Sequence, residues 1–169
     1  MLGSRMDLLQ SFAEWAWARH HNPWSWYVRP LFLLPFCWCA WRRSTAGLAL
    51  TLLALLTSMF WFPAPATPDP RTVAFLEAER RFLLAPWTVS KVAMTATVPV
   101  FLAAVAAAFW WRSVLLGLAV VNAGTLFKIA WSFAYGGESG WTVVPPALAG
   151  LVVVNVAVLL LARWRQVPR

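Results

Sequence analysis

The stretch VLLGLAVVNAGTLFKIAWSFAY, Val114 to Tyr135, decides the fold. It has 22 residues and a single charge, Lys128. A helix needs about 20 mostly apolar residues to cross a hydrocarbon core of about 30 Å. The polar residues within it are not scattered. Asn122, Thr125, Lys128, Ser132 and Tyr135 follow at steps of 3, 3, 4 and 3, which places them along one face of a helix. Facing lipid, that stripe would leave polar groups unpaired at a cost of several kcal/mol, so it must face other helices or a cavity. Lys128 lies about 10 Å along the helix from Tyr135, at 1.5 Å per residue, and is the one strongly embedded charge.

Further runs of the same kind flank this one. Spans are predicted over Trp24 to Trp41, Thr45 to Phe62, Thr88 to Trp110 and Trp141 to Trp164, making five in all. Two amphipathic segments, about residues 4–19 and 71–84, are expected to lie in the interface rather than cross it. In the first, Leu8, Leu9, Phe12, Trp15 and Ala16 share a side. In the second, Val73, Leu76, Leu83 and Leu84 form the apolar side, with Arg80 inside it and Glu79 at its edge. The expected fold is therefore an all-α integral membrane protein, a single domain over residues 1–169. Composition agrees: 61% of residues are hydrophobic and 12% charged, against about a quarter charged in a soluble domain. Arg5, Asp7, Glu14 and Arg19 interrupt the N-terminal segment, so no cleavable signal peptide is expected there.

Eleven of the 13 tryptophans sort into two levels. Trp24, Trp26, Trp61, Trp87, Trp131 and Trp141 fall at one end of the spans, and Trp38, Trp41, Trp110, Trp111 and Trp164 at the other. Two aromatic belts at head-group depth explain that sorting. Basic residues set the orientation. Arg42, Arg43, Arg112, Arg163, Arg165 and Arg169 sit in tight turns and a tail with no acid nearby. Arg5, Arg19, Arg29, Arg71, Arg80, Arg81 and Lys91 lie on the other side, several beside acids or within helices. The expected location is a cell membrane, multi-pass, with the C-terminus cytoplasmic and the N-terminus outside.

A weak internal repeat is visible. Pro23-Trp24-Ser25 and Pro86-Trp87-Thr88 each precede an apolar helix. Arg43-Ser44 and Arg112-Ser113 each open the next, and Gly47-Leu48-Ala49 resembles Gly117-Leu118-Ala119. Two helical hairpins plus a fifth helix would account for it.

Net charge is +8, with the basic residues at the ends of apolar runs, so lipid head groups rather than nucleic acid are the expected partners. Gly117, Gly124 and the Ala-rich third span would also allow close packing with a second copy or a membrane-protein partner. Cys37 and Cys39, two apart on a helix, point to different sides and are not expected to bridge. Adjacent His20 and His21 diverge, no His-x-x-x-His spacing exists and no Asp falls in a span, so neither a metal nor another cofactor is expected. No Ser nucleophile motif, P-loop or dinucleotide fingerprint is present.

Most of the strong polar groups gather in one leaflet. The candidate ligand-binding residues are Asn22, Arg29, Arg80, Lys91, Asn122, Lys128, Ser132 and Tyr135. The set is mainly cationic and suits an anionic or polar head group with its tail among apolar helices. The leading expectation is binding or translocation of a lipid-like or anionic small molecule near the extracytoplasmic leaflet. One alternative is an enzyme acting on a lipid head group, with His20 or His21 and Glu79 as an acid–base pair. Another is a structural subunit of a larger membrane complex. With five spans and many tryptophans, the chain resembles the tryptophan-rich sensory proteins, which bind porphyrins and sterols. Trp26-Tyr27 followed by Pro30 and Pro35 is the local likeness, over about a dozen residues. An amphipathic helix precedes those residues where that family has a full span, and membership is not assigned.

Overall fold

The computed structural model describes the backbone of residues 2–164 and the side chains of residues 7–163. Arg165, Arg169 and the side chains of Arg5 and Trp164 lie outside what is described. The chain is all-helical, with no strand among the described residues. Its elements are α1 (Leu2–His20), α2 (Pro23–Leu31), α3 (Leu33–Trp41), α4 (Thr45–Thr57), α5 (Pro70–Leu84), α6 (Val89–Trp110), α7 (Val114–Gly136) and α8 (Val144–Trp164). Short 3-10 turns follow α4 (Ser58–Phe60) and α7 (Gly137–Val143).

Local chemistry explains most of these limits. The Asn22 side chain accepts from the Trp24 amide, with Pro23 at the first helical position of α2. Asp69 caps α5 by accepting from the Arg71 and Thr72 amides. Thr88 caps α6 through the Lys91 amide. The predicted first span is two helices rather than one. Pro35 has no N–H to donate to the carbonyl of Leu31, and Pro30 already interrupts α2, so the helix breaks at Phe32.

The two hairpin turns, α3 to α4 and α6 to α7, have the same construction. Arg43 and Arg112, 69 residues apart, both take positive φ, at 56° and 60°. The Arg43 amide donates to Ala40 O and the Ser44 amide to Cys39 O. The Arg112 amide donates to Phe109 O and the Ser113 amide to Ala108 O. Each set is a Schellman closure. The following serine then caps the next helix, Ser44 on the Gly47 amide and Ser113 on the Leu116 amide. The resemblance between Gly47-Leu48-Ala49 and Gly117-Leu118-Ala119 is therefore one residue out of register with the turns.

Two helical stretches, Val89–Trp110 and Val114–Arg163, are long and apolar enough to cross a membrane; Thr45–Phe60 is apolar but shorter. The second stretch, 50 residues, is not one rod. The side chains of Asn122 and Asn155 touch at 3.0 Å, so α7 and α8 run antiparallel, with the reversal in the 3-10 turn after Gly136. Gly137 there has φ 54°, and Gly140 lies against the Ser132 backbone, where a Cβ would come within 2.6 Å of Ser132 O.

The core runs through Phe36, Cys37, Ala40, Val105, Phe109, Val121 and Val154, joining α3, α6, α7 and α8. The outer faces are apolar too. Leu50, Leu53 and Leu56 on α4, Val98 and Val100 on α6, and Val152 and Leu160 on α8 are all exposed. Helix α1 packs on the 3-10 turn after α4, and α5 on the turn after α7. The apolar side predicted for α5 is rotated in the structure. Its inward face is Thr72, Phe75, Leu76 and Glu79, while Leu83, Leu84 and Arg80 are exposed. The Phe75 ring, packed against Trp26, sets that rotation in place of the leucines.

Candidate functional site

A cavity of about 390 Å³ lies between the ends of α1 and α2, the inner face of α5, and the bodies of α6, α7 and α8. Four groups that carry or could carry charge line it: His20, Arg29, Glu79 and Lys128. Between them stand aromatic walls, including Trp26, Phe75, Phe101 and Trp131, and the far end is closed by Leu102, Val121, Leu151 and Val154. Two glycines bring these walls together. A Cβ on Gly124 would sit 2.2 Å from the Phe101 ring, and one on Gly150 would sit 2.1 Å from Pro30 Cβ.

His20 ends α1 and is buried. Its carbonyl accepts from the Trp26 indole at 2.9 Å. The two terminal nitrogens of Arg29 lie 3.4 and 3.3 Å from its two ring nitrogens. A neutral imidazole has one acceptor nitrogen, so one contact is a hydrogen bond donated by Arg29 and the other a close approach set by the tautomer. An imidazolium could accept neither. Burial, and then the neighbouring Arg29 and His21, hold the His20 imidazole down to about 3, so it is neutral at pH 7. The Glu79 carboxylate is 4.0 Å from His20 Nε2, at the outer limit of an ion pair, and is 40% exposed. The contact with Arg29 and the burial outweigh that weak attraction. Glu79 also interacts electrostatically with both Arg29 and Lys128.

Lys128 stands apart. Its side chain lines the cavity and is exposed. Among the described residues its ammonium makes no hydrogen bond and no ion pair within 4 Å, since the one acid–base contact within that distance is His20–Glu79. Thr125, one turn along, donates to Val121 O, and Thr97 on α6 donates to Met94 O.

The structure thus brings together His20, Glu79, Arg29 and Lys128. It places the other sequence candidates elsewhere. The His21 ring reaches back to Trp17 O at 2.9 Å. Asn22 caps α2 and donates to Pro63 O. Arg80 is exposed. The buried Lys91 donates to Leu83 O, at 2.7 Å, and to Ala85 O, and lies over the Trp87 ring, so it closes the C-terminal end of α5. Asn122 pairs with Asn155 on α8. Ser132 is buried and donates to Lys128 O. Tyr135 is exposed and lies against Trp131 in a tilted pair, ring centres 3.8 Å apart. The aromatic walls escaped the sequence reading, because one phenylalanine among many in apolar helices carries no mark of where it packs.

No family model, curated protein or solved structure matches this chain.

Proposed function

We propose that the protein is a five-span membrane protein that binds an anionic, lipid-like molecule in this cavity. The spans would be α2 with α3, α4, α6, α7 and α8, with α1 and α5 lying in the interface. Several features support that arrangement. The outer faces of α4, α6 and α8 carry leucine and valine side chains that a water-soluble monomer does not normally expose over such an area. Leu8, Leu9, Phe12 and Trp15 are exposed along α1, as expected of a helix lying on a membrane. The basic Arg43 and Arg112 turns share one end of the bundle and, by the positive-inside preference, would be cytoplasmic. The cavity, near the opposite ends of those hairpins, would open toward the extracytoplasmic leaflet.

The observation that carries the functional reading is the Lys128 ammonium, which lines the cavity and, among the described residues, makes no hydrogen bond and no ion pair within 4 Å. A lysine at such depth costs about 2.5–3.5 kcal/mol on insertion scales unless paired or hydrated. A ligand anion would be that pair. The enzymatic alternative draws on the approach of His20 to Glu79, but both ring nitrogens of His20 lie against the Arg29 guanidinium, which leaves the imidazole poorly placed to take a proton. The structural-subunit alternative needs a polar stripe awaiting a partner. Asn122, Thr125 and Ser132 are instead satisfied within the chain.

Lys128→Met tests the reading, since methionine keeps the stem and omits the charge. The variant should remain folded, and lipid extracted from it should lack an anionic species that accompanies the unaltered protein. Equal retention of every lipid by both would remove the support for this function.

A further inference from the structure

Resting on that reading of the cavity, we infer that its ligand is a single-chain amphiphile with one negative charge, of the alkyl carboxylate type, held head-first against Lys128 with its tail toward Val121 and Val154.

Charge is the first argument. The cavity holds two cations, Arg29 and Lys128, and one carboxylate, Glu79. His20 is neutral, because it cannot accept from Arg29 otherwise. The sum is one positive charge in surroundings of low polarity, where an uncompensated charge of either sign is costly. A monoanion closes that balance. A dianionic phosphate would reverse it.

The form of the donors points the same way. Among the described residues Arg29 is the one guanidinium at the cavity, and its terminal nitrogens are turned to His20, so its fork is not free to clasp a phosphate from two sides. What remains is Lys128, a point charge on a flexible stem, which a carboxylate satisfies without a fixed fork.

Size and polarity set the tail. At about 390 Å³ the cavity lies near the lower end of ligand pockets, which run from about 300 to 1,000 Å³. A chamber at the low end of that range favours one chain over two. Trp131 to Val121 covers about 15 Å at 1.5 Å per residue, and beyond Lys128 the walls become Phe101, Leu102, Leu151 and Val154. The polar groups thus cluster toward one end of an otherwise apolar chamber, as an amphiphile requires.

The experiment uses the full chain in non-ionic detergent and measures binding of radiolabelled tetradecanoate, with unlabelled competitors. The competitors are methyl tetradecanoate (the same tail without charge), tetradecyl phosphate (a second charge) and phosphatidylglycerol (one charge, two chains). Tetradecanoate should bind one per chain and at least tenfold more tightly than each competitor. Lys128→Met should lower that affinity at least tenfold, and Lys128→Arg should restore most of it. Glu79→Gln adds one unit of positive charge and should narrow the gap between tetradecyl phosphate and tetradecanoate. Phosphatidylglycerol binding more tightly than tetradecanoate, still dependent on Lys128, would overturn the single-chain inference and leave the broader function standing. Equal binding of the methyl ester would overturn the charge argument. If none of the four binds the folded protein, both the inference and the broader function fall.

Discussion

Lowering the pH should destabilise this protein through His20, and the size of the effect follows from its surroundings. The folded-state imidazole titrates near 3 because it is buried and lies against Arg29, whereas an exposed histidine titrates near 6.5. The folded state therefore binds fewer protons than the unfolded state between those values, so stability falls as the pH falls through that window. His20 contributes fully above about pH 6.5. Below it the loss approaches 1.36 kcal/mol per pH unit, or about 2 kcal/mol between pH 7 and pH 5. For a chain of this size that corresponds to a drop of about 4–8 °C in Tm. The assay is thermal melting in non-ionic detergent at fixed ionic strength, comparing the unaltered protein with His20→Gln, which cannot titrate. The variant should be less stable at pH 7 and should lose less between pH 7 and 5. The reasoning is refuted if the two profiles run parallel. It is refuted equally if the unaltered protein gains stability on acidification, because His20 would then be an imidazolium paired with Glu79, whose carboxylate is 4.0 Å away.

Other outcomes are expected from the packing. Asn122→Ala leaves Asn155 without its partner on α7 and should cost about 0.6–1.7 kcal/mol by thermal melting, with ligand retention unchanged; a larger loss of ligand than of stability would bring Asn122 into the site. Gly150→Ala places a Cβ 2.1 Å from Pro30 Cβ and should cost about 1–3 kcal/mol, since a proline ring cannot swing aside; a neutral result would mean that α2 and α8 are less closely packed. A reporter inserted at Thr67, in the Pro-rich loop before α5, should read external, and one at Arg43 cytoplasmic. The reverse pattern would turn the cavity toward the cytoplasm.

Helices were legible from the sequence where local chemistry alone decides them. Ser44, Ser113 and Thr88 each stand at the start of an apolar run and each caps a helix, because a short polar side chain there has few other uses, whereas Asn22, expected to bind ligand, caps α2 instead. The stripe on α7 was legible for the same reason: helical period places Asn122, Thr125, Lys128 and Ser132 on one side whatever the tertiary fold. The destination of each member was not. Asn122 meets α8 and Lys128 meets the cavity, and nothing on α7 distinguishes the two. The rotation of α5 could not be read from its leucines, because a helix lying in the interface, as proposed, would have apolar surroundings on more than one side. Buried Phe75 and exposed Leu84 then look alike in sequence. Lys91 shows the same limit. Its use on the carbonyls of Leu83 and Ala85 depends on how tightly residues 85–88 turn, which spacing does not specify.

The most direct test of the anionic-ligand account is mass spectrometry of the lipids that co-purify with the unaltered chain and with Lys128→Met, prepared side by side from the same membranes. The account predicts a defined anionic amphiphile near one per chain with the former, reduced at least tenfold in the variant, while neutral lipids are unchanged. An identical lipid profile from two equally folded proteins would contradict it, and Lys128 would then be a cation that reaches the interface on its own stem.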